Sequence, residues 1–175
     1  RTYKLMNVLS YYDGISCGQI ALNKSGIKYS NYFAAEINKY AIKVTNHNFK
    51  KTIQLGDVTK INVEELPKID LFIGGSPCQG FSLAGKQLNF EDERSKLFFE
   101  YVKSLNKLRD KNPDLKFLLE NVNMKSEFKN IITDFIGVEP ILVNSSLVSA
   151  QFRDRLYWSN IELSPPEPKN IILKN

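Results

Sequence analysis

One thiol sets the first expectation of chemistry. In Gly74-Gly75-Ser76-Pro77-Cys78-Gln79-Gly80-Phe81-Ser82, an apolar run over residues 69–73 leads into a stretch punctuated by glycine and proline. Such a run reads as a buried strand that ends in a sharp turn. The turn brings Cys78 to the carboxyl edge of a sheet, where open α/β folds gather their ligands. A cysteine held there between Pro77 and Gln79 is a candidate nucleophile. A lone cysteine in apolar surroundings is also an ordinary small hydrophobe, so residue type alone leaves both readings open.

Other residues point to the same edge. Ser10-Tyr11-Tyr12-Asp13-Gly14-Ile15-Ser16-Cys17-Gly18 reads as strand, glycine-containing turn and helix. Gly14 and Gly18 allow close backbone approach to a ligand. The spacing is not the G-x-G-x-x-G of a pyrophosphate site, so a nucleoside suits it better. Glu36 follows an apolar run, and a carboxylate there can accept from both ribose hydroxyls. Asp57-Val58 follows a third run: the Asp can accept from an exocyclic amine while Val58 packs on the ring. Each carboxylate also reads as a surface charge or a helix cap. Glu120 ends a further strand. Arg153 and Arg155 stand at alternate positions leading into another, which turns both to one side.

The elements that position these residues alternate. Strands are expected at 5–10, 32–35, 52–55, 69–73, 116–119, 141–143 and 156–158. Helices are expected at 16–24, with Ile20 and Ala21 inward, and at 39–48, 95–111 and 128–136, the last stopped by Gly137. Leu97, Tyr101, Leu105 and Leu108 recur at helical spacing, mostly as core. Alternation of this kind predicts an α/β fold, a doubly wound, mostly parallel Rossmann-like sheet. Residues 76–93 form a long polar connection of the kind that often carries function. Pro165, Pro166 and Pro168 mark an exit from the domain, which is expected to span 1–163 with 164–175 beyond it.

Composition excludes some alternatives. The 175 residues suffice for one domain with a true core. No apolar run approaches the ~20 residues of a membrane span. Cys17 and Cys78 make no metal spacing and no disulfide framework, so no metal is expected and a reducing cytoplasmic or nucleoid-associated setting is. With His47 the single histidine, a Ser-His-Asp triad or histidine zinc site has little to draw on. The net charge of +5 permits a polyanionic partner and equally fits a lysine-rich solvated surface.

The chain resembles the cytosine-5 DNA methyltransferases. Ser76-Pro77-Cys78-Gln79, Glu120-Asn121-Val122 and Gln151-x-Arg153-x-Arg155 are three signatures of that family, in family order. Asp13-Gly14-Ile15 and Arg94-Ser95-Lys96-Leu97-Phe98-Phe99-Glu100 look most like the branch of the animal de novo enzymes and their bacterial relatives. The family usually has Asp and Phe where this chain has Ser10 and Tyr12, which makes Tyr12 the expected aromatic wall of the cofactor pocket.

The resemblance implies S-adenosylmethionine as methyl donor and a flipped cytosine in double-stranded DNA as acceptor, in settings such as restriction-modification. It implies a pocket of Tyr12, Asp13, Gly14, Ile15, Glu36, Ile37, Asp57, Val58, Pro77 and Leu97. Cys78 would add to carbon 6 of the base, which makes carbon 5 electron-rich. Glu120 would bond ring N3 and the exocyclic amine from a carboxyl of raised pKa. Arg155 would bond the ring carbonyl, and Arg153 a loop or phosphate. Gln79, Ser82, Lys86, Gln87 and Gln151 are the expected DNA contacts. The family continues into a target-recognition region and a C-terminal segment, so a fragment or a split-enzyme subunit with a complementary partner is expected. A transfer-RNA cytosine-5 methyltransferase, a non-catalytic scaffold and an unrelated adenosyl-binding domain with a structural cysteine are the competing readings.

Overall fold

The computed structural model describes residues 5–77 and 93–172. Seven strands form one sheet: β1 (Met6–Tyr11), β2 (Tyr29–Ala35), β3 (Ile53–Gln54), β4 (Leu71–Gly74), β5 (Lys116–Val122), β6 (Ile141–Asn144) and β7 (Asp154–Ser159). Their spatial order is β3-β2-β1-β4-β5-β7-β6. The pairs β1–β2, β1–β4, β2–β3 and β4–β5 are parallel, whereas β7 is antiparallel to both β5 and β6. The order reverses at β1 and β4, the kind of switch point at which open α/β sheets bind ligands.

Four α-helices lie among the described residues: α1 (Cys17–Lys24), α2 (Lys39–Asn48), α3 (Glu93–Lys111) and α4 (Ser126–Ile136). Asn38 caps α2 by accepting from the amides of Tyr40 and Ala41, and Gly137 closes α4 at φ 82°, a left-handed position that glycine takes without a Cβ penalty. On one face of the sheet Leu9, Tyr11, Phe72, Phe117, Leu119 and Trp158 pack with Tyr101, Leu105 and Leu108 of α3 and Ile132 and Ile136 of α4. The other face has a smaller cluster of Val8, Tyr32, Ala34 and Leu71 with Leu22 of α1. The last four residues of β1 and of β2 are therefore buried on both faces, with no alternation of buried and exposed positions.

Three expectations need correction. Ile20 and Ala21 are exposed, and α1 turns Gln19 and Leu22 inward instead. The cause is close approach: a Cβ on Gly18 would lie 2.5 Å from Ile73 and 2.6 Å from the Tyr32 hydroxyl. That contact fixes the helix rotation. Gln19 then satisfies neighbouring hydroxyls, donating to Ser16 and Thr52 and accepting from Tyr29. Second, β5 continues to Val122, so Glu120 lies inside the ladder opposite Tyr157 rather than beyond its end. Third, β2 begins at Tyr29, three residues before the expected start, because pairing with β1 carries it through polar Ser30 and Asn31.

Buried tyrosines give the fold an alkaline limit. Burial pushes Tyr11 up to about 12, and raises Tyr12, Tyr32 and Tyr101 as well. A raised pKa means that the stabilisation is complete below the unfolded value of 10.0 and is lost as pH rises from there through the folded value. The unfolding free energy from urea titrations should stay level to about pH 9 and then fall by about 1.4 kcal/mol per pH unit for each tyrosine. A value unchanged well above pH 10 would refute the assignment.

Candidate active site

Three strand ends make one cavity of about 200 Å3. After β1 come Tyr12 and its turn. After β2 come Glu36 and Ile37, with Ala35 at the strand's last position. Gly56, Asp57 and Val58 follow β3, and Pro77 and Leu97 close the opposite side. Tyr12, Glu36, Ile37, Asp57, Val58, Pro77 and Leu97, all expected from sequence, are thus brought together. Ala35 and Gly56 were not expected there; they carry no distinctive side-chain signal. Tyr12 takes φ 59°, and its hydroxyl donates to the Leu97 carbonyl at 2.6 Å, tying the first turn to α3. Burial raises the Tyr12 pKa, so the hydroxyl stays protonated and keeps that bond.

The carboxylates are already engaged. Glu36 Oε2 accepts from the Gly14 amide at 2.8 Å. Its Oε1 accepts from the amides of Ile37 and Asn38 at 2.9 and 2.8 Å. A carboxylate offers about four acceptor positions, so roughly one is left for a ligand while Gly14 stays bonded. Asp57 Oδ1 accepts from the amide and the hydroxyl of Thr59 and caps the 3-10 turn Val58–Lys60. Those bonds, the backbone one first, hold its pKa below the ordinary carboxylate value. Its cap role and a ligand role are compatible, because Oδ2 remains available.

The first turn divides its residues. Asp13 is buried, and its Oδ1 accepts from the Tyr32 hydroxyl at 2.8 Å while Oδ2 has no partner. Gly14, at φ 58°, accepts from Thr45 as well as donating to Glu36. Ile15 is about half exposed. These three stand at the same sheet edge but are not part of the cavity wall, because Tyr32 and Glu36 draw the turn down onto β2.

A second group lies beside the first. Arg155 Nε is 2.7 Å from Glu120 Oε1, and Nη1 donates to the Asp154 carbonyl. The expectation that Arg155 stands ready for a base is therefore modified: two of its nitrogens are occupied and Nη2 remains. Burial, then the charge of Glu120, raises the pKa of neighbouring Tyr157. Arg153 and Gln151 are exposed on the connection before β7. Asn121, 2% exposed, donates to both the carbonyl and hydroxyl of Ser76, at 3.3 and 3.1 Å.

Three consecutive residues join the two groups. A Cβ on Gly75 would lie 2.9 Å from Glu120 Oε2. Ser76 is held by Asn121. Pro77 lines the cavity. Gly75 and Asn121 belong to motifs legible in the sequence, but their positioning roles were not foreseen. Cys78, Gln79, Ser82, Lys86 and Gln87 lie outside the described residues. Among the described residues no three His, Cys, Asp or Glu side chains converge as a metal site requires, and no helix is long and apolar enough to cross a membrane.

Residues 6–162 match the family model described as C-5 cytosine-specific DNA methylase. The chain is 36% identical over 165 residues to an orphan methyltransferase, M.SPRI, of Bacillus phage SPR, with 87% of this chain and 37% of that protein aligned. It is 39% identical over 167 residues to the Type II methyltransferase M1.ScrFI of Lactococcus lactis subsp. cremoris, covering 89% of this chain and 40% of that one. Among solved structures, a mutant DNMT2 of Spodoptera frugiperda superposes with a TM-score of 0.66 at 25% identity, over 97% of this chain and 55% of that one. The S. pombe Dnmt2 methyltransferase superposes at 0.67 and 22% identity, over 91% and 52%, a likeness of fold. The chain thus spans well under half the length of these curated relatives.

Proposed function

The chain belongs to the C-5 cytosine-specific DNA methylase family, and from that premise we propose that it forms the catalytic part of a DNA (cytosine-5-)-methyltransferase that uses S-adenosylmethionine. The single observation that carries the proposal is the path of Gly75, Ser76 and Pro77, which runs from Glu120 to the cavity wall and is followed in sequence by Cys78.

The cavity fits the donor's nucleoside. Apolar Val58, Leu97 and Pro77 flank a ring-sized space, and two carboxylates stand at neighbouring strand ends. When bound there, S-adenosylmethionine supplies an electrophilic methyl group. Glu36 would accept from the ribose diol and Asp57 Oδ2 from the exocyclic amine, while Tyr12 walls the ring. The chain's remaining work is on the base. Cys78, as thiolate, forms a bond to carbon 6 and pushes electron density to carbon 5. Glu120 accepts from the exocyclic amine. Arg155 Nη2 donates to the ring carbonyl, and its Nε keeps Glu120 oriented. Once carbon 5 carries the methyl group, it loses its proton to water and the sulfur departs with the electrons of the carbon 6 bond. The target must leave the duplex stack for these contacts to form.

Duplex DNA containing 5-fluorocytosine tests the reading, because fluorine cannot leave as a proton does. With radiolabelled S-adenosylmethionine, the wild-type chain should form a labelled covalent adduct, alone or joined with the further length that its relatives possess. Cys78→Ser should form none. Label in RNA alone would reassign the acceptor, and no adduct from the joined protein would sink the proposal.

Glu36→Gln gives a separate check. The amide retains an acceptor for Ile37 and Asn38 but turns a donor toward the Gly14 amide. Affinity for S-adenosylmethionine, by calorimetry, should fall by about tenfold to a hundredfold, the range of one or two charge-assisted bonds. Affinity within twofold of wild type would remove Glu36 from the pocket.

A further inference from the structure

Phe152 is 79% exposed. A single exposed apolar side chain is ordinary; its mounting is not. The connection from β6 to β7 is bonded to itself at several points. The Ser145 amide donates to the Arg153 carbonyl and its hydroxyl to the Gln151 carbonyl. The Ser149 hydroxyl donates to the Ser145 carbonyl and accepts from the Gln151 amide. Asn144 accepts from the Ser146 amide and donates to Asp154. The residues on either side of Phe152, Gln151 and Arg153, are thus both tied back to Ser145. The ring is offered to solvent by a fixed frame, so little conformational entropy is lost when something covers it.

Its neighbours indicate what that something is. Gln151 and Arg153 flank it and are exposed, and the same connection carries polar Ser145, Ser146 and Ser149. An apolar protein segment would gain one ring and desolvate this polar rim. A nucleobase would gain the same ring and set its phosphates beside Arg153. Position agrees. Because Val122 pairs with Arg155, Phe152 stands three residues beyond the sheet edge at which Glu120 and the Gly75–Pro77 path meet.

We propose that Phe152 is a stacking platform for a base displaced from the duplex, next to the one that enters the site; this rests on the DNA reading above. Three variants of the chain separate the possibilities, titrated into duplex DNA carrying one unpaired 2-aminopurine. Phe152→Ala and Phe152→Leu should each weaken binding about tenfold, the size of one base–aromatic contact, and should relieve the quenching of 2-aminopurine. Phe152→Trp should bind as wild type, and its new emission should be quenched by the DNA against the constant signal of buried Trp158. If Leu substitutes fully, the ring serves as apolar bulk and the proposal is wrong. Unchanged affinity and quenching in all three variants would equally overturn it. Wild type that has no affinity for any DNA even when joined with the further length its relatives possess would overturn the parent reading and this one together, whereas wild type that binds while the variants match it overturns this one alone.

Discussion

Arg155→Met is expected to slow adduct formation on 5-fluorocytosine DNA by about a hundredfold to a thousandfold, the cost of removing one donor aimed at developing charge. The guanidinium does two things at once. Through Nε it fixes the Glu120 carboxylate at 2.7 Å, and through Nη1 it is fastened to its own strand. Methionine keeps the apolar stem and removes every donor. Glu120 then has no cation beside it and is free to rotate from the Gly75 path. Because the pair is only partly buried, its loss should lower Tm by no more than a few degrees, so the effect on rate and the effect on folding separate. Arg155→Lys should recover only part of the rate, since one ammonium cannot reproduce a planar fork. A rate within threefold of wild type in Arg155→Met would show that Glu120 needs no partner.

Asn121→Leu should have the largest effect on stability. Leucine is close in volume, so the test is of polarity. It removes the two bonds to Ser76 and the acceptor at 2.8 Å for the Val122 amide. Ser76 is 5% exposed, so water cannot readily replace what is lost. Leaving buried polar groups unpaired costs about 1–3 kcal/mol each. A total of about 3 kcal/mol should lower Tm by roughly 6–12 °C in a domain of this size. The same change frees the segment that carries Cys78, so adduct formation should fall further than stability predicts. Thermal unfolding and single-turnover labelling on one preparation measure both. Asn121→Asp, which keeps the Val122 acceptor and loses the donors, should fall between.

Much of this was legible in the sequence, for identifiable reasons. Strand ends were readable because Glu36, Gly56-Asp57 and Gly74-Gly75 each follow a strand-like run, and a parallel sheet puts all such ends on one edge. Helix α2 was placed to the residue, because Asn38 is a strong cap and Asn48 precedes an aromatic turn. The face of α1 was not legible. Periodicity pointed to Ile20, but a tertiary contact at Gly18 set the rotation, and glycine gives no periodic signal. The engagement of Glu36 with three amides was hidden for a similar reason. It depends on how the turn after β1 settles against β2, which no local pattern encodes. Arg155 was identified as a site residue from its motif, yet its pairing with Glu120 follows from the β5–β7 register, a long-range property.

Among the described strands, β7 alone runs against its neighbours. What it sends to the reactive edge is therefore the stretch before it, not after it. Leu156 and Trp158 anchor it in the core, and β6 holds its far flank. The hairpin ahead of it can thus lengthen, shorten or change composition while the cavity wall on β1, β2 and β3 is undisturbed. Change at that hairpin and constancy at the cavity are in this architecture separable.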